Sequence, residues 1–197
     1  MKNGISTKWH KPPFNIVTAP LIIFSGASLN LLFWFFSDRV LHAPIFMDSI
    51  FTAIVAALYG PVPGMITGLL TNVENEFIMG FPGIHWPFGF CNLATGLIVG
   101  IMARKGETFI FGWNSTMTIL LVTVANSILG TLIAMLLFSG NTEVSLDFII
   151  STLTELGQTL FAANFWSRIL TNLIDKMIAV YAAFGTKALL EKDTGEN

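Results

Sequence analysis

Charge is what this sequence has least of: 11% of its 197 residues are Asp, Glu, Lys or Arg, whereas about 25% is usual in soluble domains. A chain that is 53% hydrophobic cannot cover a water-facing globule with so few charges, which excludes an ordinary soluble domain and makes lipid its solvent. The formal net charge of −2 excludes a general electrostatic attraction to nucleic acid. Cysteine is nearly absent. Cys91 stands alone, which excludes an intramolecular disulfide and leaves the redox compartment open. No Gly-rich Lys-Ser/Thr loop is present to cradle phosphate, so an ATP-driven role requires an ATPase supplied by another chain. No metal site or cofactor is assigned, because His85 has no second His, Cys or carboxylate at a ligand spacing and His10 and His42 fall outside the polar segments. A cleavable signal is also missing. Residues 1–15 carry Lys2, Lys8 and Lys11, but the apolar run that follows is long enough to span and lacks a small-residue cleavage site, so it reads as the first membrane helix.

What is there is a succession of apolar runs. At about 20 residues per crossing, the sequence predicts an all-α integral membrane protein with six transmembrane helices, at residues 16–37, 45–59, 62–79, 87–103, 113–138 and 161–190. Gly60-Pro61-Val62-Pro63-Gly64 joins the second and third in a tight hairpin, since these residues end one helix and open the next. Residues 142–159 alternate polar and apolar side chains near the helical period, which suits an amphipathic or re-entrant segment between the fifth and sixth helices. No linker, heptad run or long repeat divides the chain. It is read as one membrane-embedded domain over 1–197, with the bundle at about 16–190 and tails at 1–15 and 191–197.

Basic residues orient the bundle, because cytoplasmic loops and ends accumulate Lys and Arg. With six crossings, Lys2, Lys8, Lys11, Arg104, Lys105, Lys187 and Lys192 share one side, and only Arg39 falls in a loop on the other. Both termini are therefore expected in the cytoplasm of a multi-pass protein of the cell membrane. The opposite side receives Asp38, Glu143, Asp147 and the loop from Gly80 to Pro87, where an outward-facing site would be built. The sequon Asn114-Ser115-Thr116 then lies on the cytoplasmic side and carries no weight as a glycan acceptor.

An ionisable side chain in hydrocarbon costs at least ~2.5 kcal/mol and normally faces a cavity or a partner, so polar residues inside helices mark candidate function. In the last helix Asn164, Arg168, Asn172 and Lys176 recur at four-residue spacing with Asp175 beside them. Asn164 and Arg168, nearer the outer end, are candidate ligand contacts, and the alternative is an internal Arg168, Asp175 and Lys176 network that only ties helices together. The third helix ends in Thr71-Asn72-Val73-Glu74-Asn75-Glu76 and leads into His85-Trp86. Asn72, Glu74, Glu76, His85 and Trp86 at one mouth could hydrogen-bond and stack a small aromatic or heterocyclic solute; a solvated loop with an interfacial Trp is the plainer alternative. Gly64-x-x-x-Gly68 and Gly96-x-x-x-Gly100 explain packing rather than chemistry. The patch Ser25, Gly26, Ala27 and Ser28, with Asn30 one turn on, suits either docking to another membrane protein or packing within this chain.

Taken in order, Pro44-Ile45-Phe46-Met47-Asp48-Ser49-Ile50, Leu58-Tyr59-Gly60-Pro61-Val62-Pro63-Gly64, Gly68 with Asn72, Asn92-Leu93-Ala94-Thr95-Gly96-Leu97-Ile98-Val99-Gly100 before Arg104-Lys105, and Asp175-Lys176 resemble the S components of energy-coupling factor (ECF) transporters. The resemblance implies a six-helix membrane subunit that binds a vitamin-like micronutrient near the outer face. It also implies partners: a transmembrane coupling protein and two cytoplasmic ATPases. Docking in that family runs through small residues of the first helix, which points to Ser25, Gly26, Ala27 and Asn30. Here Gly26 and Asn30 stand in place of two alanines. A ligand-binding membrane sensor is the competing class, and an intramembrane enzyme lacks a nucleophile and base in register.

Overall fold

The computed structural model describes residues 13–105, 112–140 and 144–194. Most of the N-terminal tail, including Lys2, Lys8 and Lys11, lies outside the described residues, as do Glu143 and residues 195–197. Those described form seven α-helices and no strand: α1 Thr18–Phe35, α2 Ile50–Tyr59, α3 Pro61–Ile78, α4 Gly89–Lys105, α5 Trp113–Phe138, α6 Val144–Glu155 and α7 Leu160–Thr194. Three spans, Thr18–Val40, Trp86–Lys105 and Trp113–Phe138, are long and apolar enough to cross a membrane. The other crossings expected from sequence do not meet that standard, for physical reasons. α2 has 10 residues, about 15 Å of rise. α3 and α7 are long enough but are interrupted by buried Asn, Glu, Asp, Lys and Arg side chains.

α1 starts where Asn15 accepts the backbone N–H groups of Val17 and Thr18 on its side-chain oxygen, both at 3.0 Å. It ends in a π-turn over Phe36–Val40. The second helix begins at Ile50 rather than at residue 45, because residues 41–49 form an irregular strap. Pro44 disfavours helix before it, and His42 and Met47 hold φ values of +48° and +53°. Gly60, at φ +102°, makes the turn between α2 and α3 that an L side chain would strain.

Glycine seams the bundle. A Cβ on Gly96 would lie 2.3 Å from the carbonyl carbon of Gly64, and one on Gly68 would lie 2.5 Å from the carbonyl oxygen of Asn92. Both GxxxG patterns are thus used within the chain, drawing α3 onto α4 at backbone contact. Next to that seam the apolar core gathers Ala53, Ala56, Val99, Val122, Val180 and Phe184 from α2, α4, α5 and α7. A smaller cluster of Leu146, Ile150 and Ala163 packs α6 against the start of α7, with Phe46 of the strap beside it. With 12 residues, about 18 Å of rise, α6 is too short to cross a bilayer. α7 is one continuous helix of 35 residues, about 52 Å, which exceeds a hydrocarbon core of about 30 Å.

Candidate functional site

Polar side chains buried among helices separate into two groups, those that satisfy one another and those that surround a cavity. Asn30 belongs to the first. Its amide donates to Thr52 Oγ1 (2.9 Å) and Thr71 Oγ1 (3.0 Å), and its oxygen accepts the Phe51 N–H (2.8 Å). Thr71 donates in turn to the Thr67 carbonyl at 2.9 Å, so the hydroxyl is free to accept from Asn30. This hub locks α1 to α2 and α3. Asn30, Gly26 and Ala27 are therefore turned inward, and Ser25 is exposed. A Cβ on Gly26 would lie 3.1 Å from Thr67 Cγ2.

The second group lines a cavity of about 50 Å³ between α3, α4, α5, α7 and the strap. Its polar walls include Asp48, Asn72, Asn75, Asn92, Asn126 and Arg168, and its aromatic walls are Trp34, Phe46, His85 and Phe88. Arg168, 2% exposed, places its guanidinium 5.3 Å from the centre of the Phe88 ring. Gly130 makes room for it: a Cβ there would lie 3.2 Å from Arg168 Nη1. Trp34 meets His85 edge to face at 5.9 Å. Burial holds the His85 imidazole below its ordinary range, and the Glu76 charge opposes that shift.

At the Asp48 end of the cavity the strap is bolted to α7 and α4. Asp175 accepts the Met47 N–H at 2.7 Å. Lys176 pairs with Asp175 at 2.5 Å and donates to Ser49 Oγ at 2.7 Å. Asn92 donates to Asp48 Oδ2 at 2.9 Å. These bonds hold Met47 in its left-handed conformation, which costs a non-glycine residue of order 1–3 kcal/mol, and present Asp48 to the cavity.

The structure places three of the residues singled out from sequence, Asn72, His85 and Arg168, on the cavity wall. It sets the other four apart. Glu76 is an anchor for the loop, its carboxylate accepting the backbone N–H groups of Gly83, His85 (2.8 Å) and Trp86 (3.1 Å). Glu74 sits on the α1 side of α3 and accepts from Ser28 at 3.3 Å. Trp86 is 48% exposed and faces away. Asn164 donates to the carbonyls of Gly140 and Leu160, both at 3.1 Å, and so ties α7 to the end of α5. For Glu74 the reason is helical phase: Asn72 and Glu74 stand about 200° apart on one helix, so they cannot share a wall.

Sequence reading missed Trp34, Asp48 and Asn126, and did not single out Asn75 from the polar cluster that ends the third helix. Asp48 and Asn126 satisfied the same rule that marked Arg168, a polar group inside an apolar run. Asp48 lay in a stretch read as helix, and Asn126, with no other amide near it in the 26 residues of α5, carried no periodic signal. Among the described residues no group of three or more His, Cys, Asp and Glu could hold a metal ion. The cavity can instead hydrogen-bond, pair with charge and stack against a small organic solute.

A family model described as ECF transporter, substrate-specific component, matches residues 14–185. No curated protein and no solved structure matches the chain.

Proposed function

The chain belongs to the substrate-specific components of ECF transporters, and from that premise we propose that it is the solute-binding subunit of an importer for a vitamin or similar micronutrient. Such a component is not itself an enzyme. The chain crosses the cell membrane six times with both termini in the cytoplasm, captures its solute at the outer face and delivers it inward with a coupling protein and two ATPases. The observation that supports this reading is the cavity. Buried amides, a carboxylate, a guanidinium and aromatic rings converge where a lipid-filled bundle would carry apolar side chains.

A cavity of about 50 Å³ is far smaller than the roughly 300 Å³ or more of a typical small-molecule pocket. A vitamin-sized solute therefore displaces a wall. Residues 79–85, exposed for most of their length and anchored mainly through Glu76, are the wall with least to break. The coupling protein docks along the shallow groove between α1 and α2, where Ser25 and Gly26 meet Leu21, Leu29, Ile54 and Val55. Ala27 and Asn30 support that face from within.

Reconstitution tests the proposal. Proteoliposomes holding the chain alone bind solute without ATP and accumulate none; adding a coupling protein with its ATPases gives ATP-dependent accumulation. Concentrative uptake by the chain alone contradicts it.

A further inference from the structure

Two buried amide oxygens and one half-buried carboxylate line the cavity without enough donors to meet them. Asn126 donates its amide to Thr95 Oγ1 at 2.9 Å. Thr95 donates its own proton to the Cys91 carbonyl at 3.1 Å, so its oxygen must accept, which fixes the Asn126 NH₂ toward Thr95 and Oδ1 away from it. That Oδ1 is buried and has no hydrogen-bond partner. Asn75, 7% exposed, likewise keeps a buried Oδ1 without a partner. Asp48 is the third acceptor. At its end of the cavity two carboxylates, Asp48 and Asp175, face one ammonium, Lys176, which binds Asp175 directly. Buried polar groups in folded proteins are hydrogen-bonded with few exceptions, so orphaned acceptors clustered on one cavity are satisfied by what the cavity holds.

We infer that the solute recognised here presents a protonated nitrogen, or an edge of several N–H donors, to Asp48, Asn75 and Asn126, with its flat ring against Trp34, His85 and Phe88. Arg168, across the same cavity, accommodates a carboxylate on that solute, so a zwitterion fits as well as a cation. This rests on the reading that the cavity binds the imported solute. An anion without N–H donors would leave the Asn75 and Asn126 oxygens unmatched, and would bring a like charge to the Asp48 end.

The test is thermal unfolding of the full chain in detergent against two matched series: tryptamine, tryptophan and indole-3-acetate; pyridoxamine, pyridoxine and 4-pyridoxate. Within whichever series stabilises the chain, the amine or zwitterion raises the midpoint most. Asp48→Asn weakens that stabilisation about tenfold or more, as expected for losing a charged hydrogen-bond partner. Asn126→Leu, which leaves the strap untouched, weakens it several-fold and keeps the inference testable where Asp48→Asn does not fold. Glu74→Gln, an acid outside the cavity, leaves it unchanged. Preference for the anion, or equal affinity in Asp48→Asn and Asn126→Leu, overturns the inference and leaves the binding reading standing. Failure of every probe to stabilise the chain overturns the binding reading, and the inference with it.

Discussion

Two buried polar clusters sit side by side in this bundle and differ in how completely they are satisfied. In the Asn30 hub the amide makes three bonds, and Thr71 both accepts from it and donates to the Thr67 carbonyl. Around the cavity, Asn75 and Asn126 leave buried oxygens without partners. Both clusters arise from the same rule, that polar side chains in hydrocarbon must face inward. Only the balance of donors and acceptors separates a structural lock from a binding site. A closed network is worth its bonds in stability, whereas an open one costs stability that a ligand restores.

The largest effect expected is at the lock. Asn30→Leu leaves the Phe51 N–H without its acceptor and both threonine hydroxyls without their donor, and should cost about 2–4 kcal/mol of stability. Thermal unfolding should show the loss directly, and an unchanged midpoint would remove the basis of the comparison. Gly96→Ala forces a methyl to within 2.3 Å of the Gly64 carbonyl carbon, a backbone clash, and should cost about 1–3 kcal/mol. On the cavity side the readout moves from stability to affinity. Arg168→Gln should weaken solute binding by about 1.5–3 kcal/mol while unfolding changes less than in Asn30→Leu. Trp34→Ala, which removes the ring against His85, should cost about 1 kcal/mol of affinity, and Trp86→Ala, mostly exposed, close to none.

The smallest effect concerns pH. Burial lowers the His85 pKa in the folded chain below the unfolded 6.5, so the unfolded chain takes up the proton first as pH falls. The stability it contributes is complete above pH 6.5 and is lost as the pH drops through the folded value. A midpoint that declines from pH 7 toward 5, with a shallower decline in His85→Gln, is the expected pattern. A steeper decline in His85→Gln would reverse the assignment.

Much of the frame was legible in the sequence because it depends on composition and spacing. The helix at residues 113–138 follows from a long, uncharged and mainly apolar run, and the structure has it at the same bounds. Gly60 to Gly64 announced the α2–α3 hairpin, and the GxxxG pairs announced close packing, though not that both lie on one seam. The site was legible where polar residues repeat or cluster: Arg168 lies on a four-residue stripe, and Asn72 and His85 belong to the polar end of α3 and the loop that follows it. The strap was not legible, because Phe46 and Met47 look helical and the bonds that fix the strap, from Met47 to Asp175 and from Asn92 to Asp48, join residues distant in sequence. Glu76 was visible as a buried acid, but its service to three loop amides depends on how the chain turns after Ile78. A linear pattern cannot show that.

The most direct measurement is the small molecule that the full chain carries out of the membrane, released by heat and identified by mass spectrometry. The account predicts a micronutrient-sized solute on the wild-type chain and on Glu74→Gln, and its loss from Arg168→Gln that still unfolds cooperatively. The same solute retained by Arg168→Gln but lost from Glu74→Gln would place the binding site on the α1 face of α3 and contradict the account.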